Sequence, residues 1–268
     1  MVLSIVALLW LSGLRPGPQV AADPSVPGPC ATQSKTVQVG GDLETDFYYP
    51  AAKQCSGQIT APFPGIIFAH GFSMFGLSNG AADNADHGEH LASWGYVAAI
   101  PRLADDVEER LSSTEELLSY LAEETERSGS ALHGMVDTDR LALAGHSFGG
   151  ATALAEAAQS PRVKAVVALD PVYHQGGPGS NPEIWDHDVE GPKITAPTAI
   201  LGAPSSSCNS EADYAEIYPY VGSAHKAQFF VASASHCDFS DPGNSLCYFV
   251  CGGSSNESEA RMQLVQKY

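Results

Sequence analysis

Gly145-His146-Ser147-Phe148-Gly149 stands directly between an apolar run, Arg140–His146, and an alanine-rich run that begins at Ser147. A chain that leaves one regular structure and enters another without a loop needs a sharp turn. G-x-S-x-G supplies it: small residues on both sides let the backbone double back and lift the serine to the top of a sheet. "RLALAGH" has the unbroken apolar character of a strand buried on both faces, and "GATALAEAAQ" is rich in strong helix formers. The motif predicts strand, Ser147, helix, with the hydroxyl at the amino end of a helix, where the peptide dipoles favour negative charge.

The surrounding chain agrees with such a turn. "GIIFAHG" (Gly65–Gly71), "YVAAIPR" (Tyr96–Arg102), "VKAVVALD" (Val163–Asp170), "APTAILGA" (Ala196–Ala203) and "KAQFFVASASH" (Lys226–His236) read as strands. Helical segments alternate with them: "HGEHLASWG", a polar stretch near Tyr214, and an acidic segment whose Leu103, Val107, Leu111, Leu117, Leu118 and Leu121 mark one buried face. "TVQV" and "DFYYP", around Gly40-Gly41, read as an opening β-hairpin. The fold class expected is α/β, a mostly parallel, doubly wound sheet with helices on both faces. The polar residues that end each strand then line the binding crevice.

A serine nucleophile needs a base and a group to orient it. His236 ends the last expected strand and follows the serine in chain order, so it is the expected base; the other eight histidines compete less well. His70 lies in the "HGF" turn and His146 inside the elbow, while His87, His90, His133, His174, His187 and His225 are expected in solvated helices or loops. After "TAILGA" no acid occurs for seven residues, whereas "VVALDPV" ends a strand in Asp170, with Pro171 stopping it. Asp170 is the expected orienting acid, with Glu211 and Asp213 in reserve. The backbone N–H groups of Phe148 and Phe72 are the expected oxyanion donors, Gly71 allowing close approach.

Around that constellation, "HGF", "GHSFGGAT", "ALDPV" and the late "SH" resemble the α/β-hydrolase fold in the branch of chlorophyllases, plasma-type platelet-activating-factor acetylhydrolases and dienelactone-hydrolase or cutinase-like polyesterases. The likeness spans roughly Gly65 to Asp241. The first two groups resemble this chain in taking the acid from the strand after the elbow helix, which favours Asp170. The polyesterases resemble it along "LASWGYVAAIPR" and "VDTDRLALAGHS" and in a cysteine soon after the histidine, and differ in the position of the acid. The resemblance implies hydrolysis of carboxylic esters, with lipid, phytyl-type or polyester substrates all within it. A peptidase or amidase on the same residues, or a non-catalytic binding module, are the alternatives.

Six cysteines allow fifteen disulfide pairings. The resemblance to polyesterases implies Cys208 with Cys237; Cys30 with Cys55 and Cys247 with Cys251 complete the expected set. The apolar run Val2–Leu14, followed by Val20-Ala21-Ala22, reads as a signal peptide over residues 1–22, cleaved before Asp23 and too short to span a bilayer of roughly 30 Å. Residues 23–268 are then one catalytic domain, secreted to an extracellular or periplasmic compartment, monomeric and without stable membrane insertion. A formal charge of -18 would repel nucleic acid over most of the surface. Asp83, Asp86, His87, Glu89 and His90 crowd together, but no third ligand is fixed by spacing, and a solvated helix start with no metal is expected. No cofactor is called for. Phe75, Tyr173 and Trp185 are the expected apolar substrate walls, the last two in the Gly/Pro-rich segment after Asp170. Asn256-Glu257-Ser258 is a glycosylation sequon.

Overall fold

The computed structural model describes residues 23–56, 59–73, 80–173, 185–242 and 245–253. The expected signal peptide, Phe75, His174 and the sequon all lie outside them.

The opening hairpin is β1 (Thr32–Val39) and β2 (Leu43–Pro50), turning at Gly40 and Gly41, both at positive φ. β3 (Phe63–Ala69), α1 (Ala85–Ser93), β4 (Val97–Pro101), α2 (Val107–Glu126), β5 (Val136–His146), α3 (Phe148–Gln159) and β6 (Val163–Leu169) follow. The chain continues through α4 (His187–Glu190), β7 (Thr198–Gly202), α5 (Asp213–Ile217), β8 (Lys226–Phe230) and α6 (Ser245–Cys251). The sheet order is β1-β2-β4-β3-β5-β6-β7-β8, antiparallel from β1 to β4 and parallel from there on. The α/β reading of the sequence is thus correct, with an antiparallel edge.

Side-chain alternation divides the core between the two faces of the sheet. Ile67, Ala69, Val97, Ala99, Leu141 and Leu143 pack with Leu117, Leu118 and Leu121 of α2 and Leu154 of α3. Their neighbours Ile66, Phe68, Ala98, Ile100, Ala142 and Ala144 face the other way, with Phe239. α2 starts where Asp106 caps it by accepting from the Glu109 N–H at 3.0 Å. Leu103 lies before the helix but is buried with the same face.

β8 is shorter than the sequence suggests. It ends at Phe230, and His236 lies in a single 3-10 turn, His236–Phe239. The chain leaves the strand in a turn closed by the Ala234 N–H on the Val231 carbonyl at 3.0 Å. Ser235 and Asp238 then form a capping box, Asp238 Oδ2 accepting from the Ser235 N–H at 2.6 Å and hydroxyl at 2.9 Å.

Two of the three expected disulfides are re-paired. Cys30–Cys55 forms as expected, but Cys208 joins Cys251 and Cys237 joins Cys247. The cause is α6, whose residues 247 and 251 meet different segments. Its end lies on the loop after β7, with the Ser207 N–H 3.3 Å from the Cys251 carbonyl, while Cys247 reaches the turn of His236. α6 buries little besides Tyr248 and Cys251, and Phe249 is 86% exposed.

The elbow depends on missing side chains. A Cβ at Gly149 would stand 1.9 Å from the Ala69 carbonyl oxygen, and one at Gly145 would stand 2.3 Å from the Gly149 oxygen. Gly149→Ala is expected to destabilise the protein by about 3 kcal/mol or more, since backbone and not a flexible side chain must yield. Urea unfolding checks this; an unchanged midpoint would contradict the packing.

Candidate active site

Ser147 sits between β5 and α3 at φ 58° and ψ -125°, a conformation side chains ordinarily avoid. Such strain costs roughly 1–3 kcal/mol and persists only where surrounding structure imposes it. Here the Ser147 N–H donates to the Leu169 carbonyl at 2.9 Å, and its own carbonyl accepts from Gly150 and Val172 at 2.9 and 3.0 Å. Asp170, at the carboxyl end of β6, has φ 41° and is likewise pinned, its N–H donating to the Leu201 carbonyl at 2.7 Å.

The structure brings Ser147, His236 and Asp170 together from the ends of three different elements. His236 Nδ1 lies 2.6 Å from Asp170 Oδ2 and its Nε2 lies 3.0 Å from Ser147 Oγ. The other Asp170 oxygen accepts from the Ala203 N–H at 3.1 Å. His236 and Asp170 are 2% and 1% exposed, so water competes little for the bond between them, while Ser147 is half-buried and open to a substrate. The reserve acid Asp213 instead accepts from the Tyr173 N–H at 2.8 Å, and Glu211 is exposed.

Of the expected oxyanion donors, Phe148 is the first residue of α3, where N–H groups have no carbonyl of their own helix to reach. Phe72 follows Gly71, whose backbone packs on the nucleophile: a Cβ there would stand 3.2 Å from Ser147 Cβ and 3.7 Å from its Oγ. Tyr173 and Trp185 lie inside the main core, at 0% and 4% exposure, and not on an open wall.

Two expected solvated histidines are buried. His87 stacks on Phe68 at 4.8 Å with its Nε2 2.9 Å from the Phe239 carbonyl, and His187 packs among Tyr173, Trp185 and Tyr220. α1 lies with His87 against the sheet, so the acidic cluster at its start is not a wholly solvated one. Among the described residues, the only group of three potential metal ligands is Cys237, Cys247 and Cys251, all in disulfides.

Further residues at the site were not singled out from the sequence. The His146 ring lies 4.6 Å from that of His236, with Nδ1 3.0 Å from Ser240 Oγ. Burial, then the neighbouring His236, holds its pKa well below the ordinary value, so a second positive charge does not oppose an imidazolium at His236. His70 is also held neutral: burial lowers it to about 4. Its Nε2 accepts from the Leu103 N–H at 3.0 Å and its Nδ1–H donates to the Gly71 carbonyl at 2.6 Å. Arg110 of α2 is fully buried beside this turn. It falls three residues after Val107 and four before Thr114, a spacing that already puts it on the inward face of the helix.

These buried groups fix a pH dependence of stability. His70 and His87 are both lowered to about 4 by burial, and His146 is lowered too. The unfolded chain therefore binds their protons first as pH falls below about 6.5. Stability present above 6.5 is lost on descending towards 4, up to about 3 kcal/mol for each of the first two. Glu156, buried against Glu115, is pushed up to about 8 and acts oppositely: its contribution is complete below 4.5 and lost as pH rises through 8. His90 is lowered by burial as well, so four histidines act against one glutamate below about 6.5, and their influence fades within about a unit above it, where Glu156 prevails. The melting temperature is expected to peak near about pH 7, with Glu156→Gln flattening the alkaline side; a Tm that keeps rising from about 7 to 8 would contradict the assignment.

A family model described as PET hydrolase-like matches residues 13–251. The chain is 27% identical over 253 residues to a bis(hydroxyethyl) terephthalate hydrolase of Streptomyces coelicolor, covering 87% of this chain and 73% of that protein. It is 28% identical over 151 residues to cutinase 1 of Thermobifida cellulosilytica, covering 56% and 53%. A cutinase of Thermobifida fusca matches at 28% over 151 residues, 56% of this chain and 46% of that one. The aligned region thus spans about half the length of these cutinases.

Proposed function

The chain belongs to the PET hydrolase-like family, and from that premise we propose that it is a secreted carboxylic ester hydrolase using Ser147 as nucleophile, His236 as base and Asp170 as orienting acid. The observation that carries this reading is the hydrogen-bonded series Ser147–His236–Asp170, 3.0 and 2.6 Å, on a strained strand-to-helix turn. Asp170 holds the ring with the proton on Nδ1, leaving Nε2 to accept from Ser147 Oγ. Oγ attacks the ester carbonyl as His236 takes its proton. The developing oxyanion lies between the N–H groups of Phe148 and Phe72, and collapse expels the alcohol, protonated by His236. Water repeats the cycle on the acyl-enzyme, and the acid is released.

The names of the relatives make terephthalate diesters and cutin-like polyesters the substrate classes of first interest. Secretion is supported by three disulfides and by the apolar segment before Asp23. Residues 23–268 acting as one monomeric domain complete the proposal. Among the described residues no helix is long and apolar enough to cross a membrane.

A fluorophosphonate probe tests the nucleophile, and bis(2-hydroxyethyl) terephthalate, p-nitrophenyl butyrate and butyryl p-nitroanilide test the reaction. Labelling of the peptide that carries Ser147, with release of alcohol from the two esters and background rates on the anilide, is the expected result. Absence of labelling would overturn the enzyme reading, and comparable turnover of the anilide would make it an amidase.

A further inference from the structure

The guanidinium of Arg110 is an unusual occupant of a core. It is 0% exposed, and its nearest carboxylate among the described residues, Asp105, is 4.0 Å away and partly exposed. Burial lowers its pKa to about 9, which leaves it charged near neutrality. An apolar side chain would fill the space without removing a charge from water, so packing alone does not account for it.

Its contacts converge on one place. One terminal nitrogen donates to the His70 carbonyl and the other to the Ala104 carbonyl at 3.1 Å. The guanidinium carbon lies 4.2 Å above the centre of the Phe148 ring. His70 begins the turn that carries the Phe72 N–H, and Phe148 carries the other expected donor. Asp105, beside Arg110, accepts from the Ser73 N–H at 2.9 Å and the Ser73 hydroxyl at 2.5 Å, which fixes the far end of the same turn. The 70–73 turn is therefore gripped at both ends, and the grip on its first residue also presses on Phe148.

We infer that Arg110 is a positioning residue for the oxyanion pocket, tying the turn that bears Phe72 to the start of α3 that bears Phe148, so that both N–H groups hold one spacing. This rests on the nucleophile and oxyanion reading proposed above and adds a group outside it. Oxyanion donors act only when held within about 2.7–3.1 Å of the forming charge. Displacing them by about 1 Å lowers rates by about 100-fold. The effect falls on kcat, because the pocket engages the tetrahedral species and not the planar ester.

The test compares Arg110→Lys and Arg110→Met with the wild-type full chain. Lysine keeps a charge over Phe148 but does not span both carbonyls, and methionine keeps only bulk. With p-nitrophenyl butyrate, kcat is expected to fall about 10-fold in Arg110→Lys and about 100-fold in Arg110→Met, with KM within about twofold. A trifluoromethyl ketone, whose adduct with Ser147 carries an oxyanion, is expected to lose affinity in the same order and by similar factors. The acid limb of kcat/KM is expected to keep its midpoint, since the His236 bonds are untouched. Unchanged ketone affinity, or a displaced acid limb, would overturn the inference. Should the methionine variant not fold, Asp105→Ala replaces it as the second variant, releasing the other end of the turn from a side chain that is 24% exposed. Loss of fluorophosphonate labelling in the wild type would instead defeat the enzyme reading itself, so the two failures are separable.

Discussion

Ser147→Ala is expected to lower kcat towards p-nitrophenyl butyrate by about 10^6-fold while leaving the melting temperature nearly unchanged. Alanine retains the Cβ of serine, so the strain at φ 58° is neither relieved nor increased. The backbone bonds to Leu169, Gly150 and Val172 that hold the turn do not involve the hydroxyl. His236 loses one bond partner and keeps Asp170 at 2.6 Å. A residual rate about 10^3–10^4 above water is the share left to oxyanion donors and substrate binding when a member of such a triad is removed. Turnover within tenfold of wild type, measured on enzyme free of host esterases, would remove Ser147 from the mechanism.

Asp170→Asn is expected to cost about 10^4 in kcat, through the tautomer of His236. One carboxylate oxygen accepts from the Ala203 N–H at 3.1 Å, and an asparagine must keep its carbonyl oxygen there, because its amide cannot accept. The NH2 group then faces His236 Nδ1 and requires that nitrogen to be bare. The ring proton moves to Nε2, and Nε2 can no longer accept from Ser147 Oγ, 3.0 Å away. The substitution is nearly isosteric at a 1% exposed site, so folding should survive. Steady-state kinetics with fluorophosphonate labelling rates check this, both falling together; loss of less than tenfold would show that another acid orients the ring.

The parts of this architecture that could be read from sequence are those where chemistry and periodicity coincide. Ser147 is marked by glycines that the elbow sterically demands, and Asp170 and His236 each follow an apolar run, the former immediately and the latter after a short turn. The parallel order followed from unbroken β-branched runs such as "VKAVVAL". What escaped depends on packing between distant segments. His87 and His187 carry a polar label, yet each finds an aromatic partner that no local pattern announces. Tyr173 and Trp185 lie in a segment of loop-like composition, but they enter the same core cluster as Ile194 and Ile217. The cysteine pairing turned on where α6 docks, and seven residues with Phe249 facing outward give no amphipathic stripe from which to read that.

That last helix is attached more by covalent chemistry than by burial. Cys237, one end of its fastening, is the immediate neighbour of His236, and the other fastening ties Cys251 to the loop a few residues beyond Ala203, whose N–H holds Asp170. Neither of those two bridges crosslinks the strands themselves, so reducing them is expected to free α6 and loosen the segments that carry His236 and the Ala203 N–H before it disturbs the sheet. The covalent ties thus serve the upkeep of the site more than the building of the sheet, and the redox poise of the compartment of biosynthesis bears on turnover as well as on yield.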